Sequence, residues 1–255
     1  MNCAELYAVL SEKIPASLSC SWDNDGLMCC SEPERAVRRV LVALDITGGV
    51  IDEAIAGGYD AIVSHHPLIF SPLRALNPSD HVAKKVMRLV REGIAAMSFH
   101  TRLDAVEGGV NDTLANAIGL RNVTPFGQDG EAIGRIGTLE RSMSVAEFAA
   151  LVKHEIGAEG VQAVDAGKPV YRVAVLGGSG SDDVKAARAA GADTYLSGEL
   201  KHNWLTDAPD LGINLVAAGH FYTEDPVCRI LHDMILDADP TVEVTVTNSN
   251  PVRVL

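Results

Sequence analysis

The chain has 255 residues, 47% hydrophobic and 22% charged, a balance that excludes wholesale disorder and is enough for one large domain or two small ones with a real core. Thirty-four acidic residues against 21 basic ones leave a formal charge of −13, which excludes nucleic-acid binding by bulk electrostatics. No apolar run approaches the roughly 20 residues of a membrane span.

The first residues, MNCAELYAVLSEK, lack the basic start and unbroken apolar stretch of a signal peptide, so a cytoplasmic location is expected. Cys3, Cys20, Cys29, Cys30 and Cys228 form an odd set without a CxxC pair, and read as reduced thiols. RRVLVALDI (38–46) reads as a strand, GVIDEAIAGG (49–58) as a helix and YDAIVSH (59–65) as a strand. DHVAKKVMRLVREG (80–93) carries apolar residues at helical spacing, and IAAMSFH (94–100) is again strand-like. TPFGQDGEAIG (124–134) is Gly-rich without apolar period and reads as a connection. Ser144 and Glu147 have capping-box spacing at the start of a helix over 144–157. VYRVAVL (170–176), ADTYLS (192–197) and INLVAAG (213–219) are further strands. Strands alternating with helices imply βαβ units.

The second half repeats the first. At an offset of 133, Arg39 and Val40 fall on Arg172 and Val173, and Gly58, Asp60 and Ser64 fall on Gly191, Asp193 and Ser197. At an offset of 120, His100 falls on His220 and Asp104 on Glu224. The order of these matches points to an internal duplication.

Three strand ends carry chemistry. VSHHPLIF (63–70) delivers His65 and His66 just before Pro67, either as metal ligands or as loop histidines. FHTRLDAVEGGVND (99–112) offers Asp104, a hard oxygen donor or a turn aspartate; Asn111 and Asp112 look like a helix start. AGHFYTED (218–225) spaces His220 and Glu224 four apart, one face of a helical turn. Parallel sheets gather such ends at one edge. Three imidazoles and two carboxylates without sulfur suit two divalent ions sharing a carboxylate, with Zn, Fe and Mn all compatible. VLGGSGSDD (175–183) reads as a tight strand-to-helix turn, lacking the pattern of a phosphate loop. Glu199 and His202 after 192–197 either relay protons or begin a solvated helix. His81, His154 and His232 have no partner at ligand spacing, and Trp22 and Trp204 read as packing residues rather than base-stacking ones.

WDNDGL (22–27), VSHHPLIF, HTRLDAVEGGVND, GGSGSD (177–182), SGELKH (197–202) and GHFYTE (219–224) together resemble the Nif3-like family, whose bacterial members are labelled GTP cyclohydrolase 1 type 2 homologues. The resemblance implies an α/β fold of two similar, intertwined halves with mixed, mostly parallel sheets. The halves are expected, with approximate boundaries, at 1–125 plus 220–255, with most metal ligands, and at 126–219. It implies two divalent metal ions per chain on His65, His66, Asp104, His220 and Glu224; beside them, our own reading of the residues gives Glu199 and His100 as proton-moving groups. It also implies a homohexamer with the metals facing an inner cavity. The expected activity is metal-dependent hydrolysis of a small anionic or nucleotide-like substrate such as GTP; the alternative is a non-catalytic metal-binding scaffold. Arg102 stands where the family usually has Asn, and a guanidinium there would bear on which anion is accepted.

Overall fold

The computed structural model describes residues 1–128 and 131–254. Among them the elements run α1 (Cys3–Lys13), β1 (Gly26–Cys29), β2 (Arg39–Ala43), α2 (Gly48–Gly57), β3 (Ala61–Ser64), α3 (His81–Glu92) and β4 (Ala95–Ser98). Then come α4 (Thr101–Ala105), α5 (Val110–Ala117), β5 (Arg121–Gln128), β6 (Glu131–Met143), α6 (Val145–Glu155), β7 (Gln162–Val164) and β8 (Val170–Ser179). The chain continues through α7 (Val184–Ala189), β9 (Thr194–Glu199), α8 (His202–Leu211), β10 (Asn214–Ala217), α9 (His220–Glu224), α10 (Val227–Ala238) and β11 (Glu243–Val246). Among the described residues no helix is long and apolar enough to cross a membrane.

The chain divides into two compact units, Met1–Val106 with Val227–Ser249, and Glu107–Pro226 with Asn250–Leu255. The first holds a five-stranded sheet in the order β1-β4-β3-β2-β11. It is parallel except for β1, which runs antiparallel to β4. Leu41, Ile62 and Ala96 on this sheet pack with Val50, Ile51 and Ala54 of α2 and Val86 and Leu89 of α3. Both helices begin on a side-chain cap, Thr47 and Asp80, and stop at a left-handed glycine. The second unit holds a six-stranded sheet in the order β5-β6-β8-β9-β10-β7. Only its centre, β8-β9-β10, is parallel; β5, β6 and β7 are joined antiparallel. The fold is therefore mixed α/β in both units, with the parallel character stronger in the first.

The duplication is visible in hydrogen bonds. Asp60 accepts from the backbone N–H of Arg38 and Arg39 at 2.8 and 3.0 Å. Its counterpart Asp193 accepts from the N–H of Tyr171 and Arg172 through one oxygen at 3.1 and 2.7 Å. In each unit this aspartate fixes the start of one parallel strand against the start of the next. Each third strand, β4 or β10, leads into a five-residue helix, α4 or α9.

One expectation changes. Residues 124–134 are not a simple connection. Pro125 and Phe126 pair with Arg135 and Gly134 in the antiparallel β5–β6 ladder, while Asp129 and Gly130 lie outside the described residues. Pro125 is tolerated because β5 is the edge of its sheet. The compact units change over at 106/107 and 226/227, beside the approximate 125/126 and 219/220 of the sequence reading. The reason is local bonding. Asn111 of α5 donates to the Ile133 carbonyl and accepts from Gly177 N–H, and Asp112 clasps Arg135 at 2.8 and 3.1 Å. Thr223 of α9 accepts from Gly178 N–H. His220 and Glu224 thus belong to the second unit.

Candidate metal centre

In the first unit, β2, β3 and β4 end in register: Ala43 is opposite Ser64 and Ser64 opposite Ser98. Asp45, His65, His66 and His100 all follow within two residues of those ends. Gly26 at the start of the antiparallel β1 is opposite Ser98, so Asp23 and Asp25 arrive at the same edge. Position at this edge is what parallel βαβ topology provides.

The three histidines are brought together. Each offers one ring nitrogen, and the three lie within 4.8 Å of one another. Each also has its Nδ1 engaged: His65 with the Phe99 carbonyl at 2.9 Å, His66 with Asp45 at 2.8 Å, and His100 with Asp23 at 2.9 Å. That leaves Nε2 as the nitrogen each ring presents to a cation. Histidine ligands generally carry such a carbonyl or carboxylate on the remote nitrogen, which fixes tautomer and orientation. His65 Nε2 stands 3.8 Å from Asp104 Oδ1, so Asp104 faces the same group. His65 is fully buried, while His66 and His100 are partly open.

Asp23 does more than hold one ring. Its carboxylate accepts from His100 Nδ1, Thr101 N–H and Thr101 Oγ1, the last at 2.6 Å. Burial opposes its ionisation, but the hydrogen bonds from His100 and Thr101 outweigh burial and hold the carboxyl well below the usual carboxylate range. Asp25 accepts from His100 N–H at 3.0 Å and from Arg102 Nε at 3.0 Å. Arg102 is completely buried, its guanidinium 4.4 Å over the Phe99 ring. It is therefore an internal counter-charge for Asp25, not the anion-facing residue expected from the motif.

In the second unit, α9 puts His220 Nε2 3.0 Å from Glu224 Oε2, one turn apart. Glu199, at the end of β9, reaches His220 Nδ1 at 3.5 Å, while His202 is exposed at the start of α8. The Gly-rich end of β8 has a packing purpose. A Cβ at Gly178 would come within 3.0 Å of His220 Nε2 and closer still to Glu224 Oε1, and one at Gly177 would lie 3.0 Å from Glu224 Cγ. These glycines seat α9 against the strand.

The donors fit a divalent cation of intermediate softness, since imidazole nitrogens and carboxylates suit Zn, Fe and Mn and no thiolate intervenes. The five cysteines are thiols, not disulfides; Cys3 Sγ lies 3.5 Å from Cys30 Sγ, and burial followed by that neighbour pushes the Cys3 thiol up to about 12. Sequence reasoning passed over Asp23, Asp25 and Asp45, although two of them lie within WDNDGL.

Fold and site together define a two-unit α/β protein with histidine and carboxylate groups able to bind a metal. The chain belongs to the Duf34/NIF3 (NGG1p interacting factor 3) family, whose model matches residues 1–251. It is 31% identical over 249 residues to a GTP cyclohydrolase 1 type 2 homolog of Clostridium perfringens, covering 94% of each chain. A homolog of the same name from Nostoc is 36% identical over 195 residues, 74% of each chain. Among solved structures, reduced HcgD from Methanocaldococcus jannaschii is 30% identical with a TM-score of 0.85, covering 98% of each chain. A Bacillus cereus protein related to NIF3 shares the fold with a TM-score of 0.89 at 24% identity, over 100% of this chain and 99% of its own.

Proposed function

We propose that this chain is a metal-dependent hydrolase of a nucleotide-like substrate, with His65, His66, Asp104, His220 and Glu224 as ligands of two divalent cations. The observation that carries the reading is the histidine trio of the first unit, with each Nδ1 secured by an oxygen of the protein. A histidine cluster without function would have no reason to fix three tautomers at once. The names of the Clostridium and Nostoc relatives point to a GTP-like substrate.

Bound cations would supply Lewis-acid charge and a water of lowered pKa. The protein's own part is orientation and proton transfer. Asp45 and the Phe99 carbonyl hold the adjacent imidazoles at fixed angles, and Asp23 holds His100. Glu199, exposed and in contact with His220, is the carboxylate we assign to accepting a proton; His100 is the second such group. Homohexameric assembly and a cytoplasmic location belong to the same proposal.

The test is turnover. Protein of known metal content is assayed with GTP and simple phosphoesters, alongside His65→Ala. Metal-dependent product formation lost in His65→Ala supports the reading. A protein that holds its metals yet turns over none of these substrates would leave the scaffold alternative.

A further inference from the structure

Two aromatic side chains beside the histidine trio have no part in holding a metal. Trp22 is 57% exposed and Phe70 52%. Their rings lie 6.3 Å apart at 62°. Each also stands edge-on to His100, Trp22 at 6.3 Å and 79°, Phe70 at 6.2 Å and 86°. The sequence reading of Trp22 as a packing residue therefore does not hold: more than half of it faces water.

The pair is held in place. Trp22 directly precedes Asp23, whose carboxylate is fastened to His100 and Thr101. Asn24 donates its side-chain amide to the carbonyl of Ile69, the residue before Phe70. Two large rings kept adjacent, ordered and half in water run against the hydrophobic effect, and such patches mark binding surfaces. Asp23, Asp25 and Asp45 serve the same sheet edge, with Asp25 paired to the buried Arg102. The two ring faces offer apolar stacking area to the planar part of a substrate, next to the site proposed for the cations.

We propose that Trp22 and Phe70 form a stacking platform for the planar nitrogen heterocycle of a substrate, setting that ring beside His100, His65 and His66. The proposal rests on the reading of the site as one for nucleotide-like substrates, and it names the residues that grip the ring. Stacking of a base on an aromatic side chain changes affinity by roughly 5- to 150-fold and tolerates different bases. The platform would therefore select for a flat heterocycle more than for guanine in particular.

The experiment is equilibrium binding by titration calorimetry on the full-length, metal-loaded protein, with guanosine, adenosine and ribose 5-phosphate as probes. The variants are Trp22→Leu and Phe70→Leu, with Trp204→Phe as the control. Guanosine and adenosine should both bind the parent protein. Both should weaken by roughly 5- to 150-fold in Trp22→Leu and Phe70→Leu. Trp204→Phe should match the parent, and ribose 5-phosphate should be indifferent to all three variants. Metal content, measured on the same samples, should stay constant; if Trp22→Leu loses metal, Phe70→Leu decides. Nucleoside affinity unchanged in both variants overturns the proposal, as does a parent protein that binds neither nucleoside. Equal losses for ribose 5-phosphate and guanosine also overturn it. A change of sedimentation without a change of nucleoside affinity would make the patch a contact between copies, and the platform would fall. The hydrolase reading fails separately: nucleoside binding with the expected losses, but no turnover of GTP, removes the activity and leaves the platform.

Discussion

Replacing Gly178 by alanine separates backbone strain from damage to the metal ligands. Gly178 sits at φ +64°, where an L side chain costs about 1 kcal/mol. Gly157, in the same unit, sits at φ +67°, but a Cβ there meets nothing within 4 Å. Gly157→Ala thus measures the strain alone, a loss of about 2–4 °C in Tm for a chain of this size. Gly178→Ala adds a methyl group driven into Glu224 and His220. One of those side chains must leave its place on α9, and disturbing a ligand's support typically costs about 10- to 100-fold in metal affinity. The assay is thermal melting in chelator for both variants, followed by zinc titration with a competing dye. Both should melt below the parent, and only Gly178→Ala should also bind zinc more weakly. Equal zinc affinity in the two variants would show that the close seat of α9 on β8 has no bearing on metal binding.

Asp183 gives a pH prediction. Burial, and then its neighbours Asp182 and Glu131, raise its carboxyl from 3.8 to about 6. The folded state holds that proton more tightly than the unfolded chain, so stability is greatest below the unfolded value and falls as pH rises through about 6. The penalty at neutral pH is at most about 3 kcal/mol. Asp183→Asn should therefore stabilise the protein more at pH 8 than at pH 4.5 in urea melts; equal gains would refute this. Asp23→Asn, by loosening His100, should lower turnover by about tenfold or more with metal content unchanged; unchanged turnover would remove His100 from proton transfer. Imidazole binds a cation only when unprotonated, so metal retention on dialysis should fall on acidification. Equal metal content at pH 5 and pH 8 would argue against histidine ligation.

Much of this was legible in the sequence because periodic patterns survive folding. The strands and helices around His65, His100 and His220 lie where alternation and helical spacing put them, and the 133-residue offset reappears in the matching bonds of Asp60 and Asp193. The antiparallel β5–β6 pairing was hidden by Pro125 and the nearby glycines, which read as a loop unless the strand is known to be an edge. The place of the change-over between units was legible only approximately. It depends on Asn111 reaching β6 and β8 over sequence distances of 22 and 66 residues. The supporting carboxylates are of the same kind. Asp23 meets His100 across 77 residues, and Asp45 meets His66 across 21, so neither shows a ligand spacing. Arg102 misled for the opposite reason: its place in a motif drew attention to its charge, whereas the fold neutralises it internally on Asp25.

The most direct measurement is the number of divalent ions per chain, by elemental analysis after equilibrium dialysis at pH 8, for the parent protein and for His66→Ala. The proposed centre predicts two ions on the parent and one or fewer on the variant. A parent chain that retains no ion, or a variant that retains as many as the parent, would contradict it.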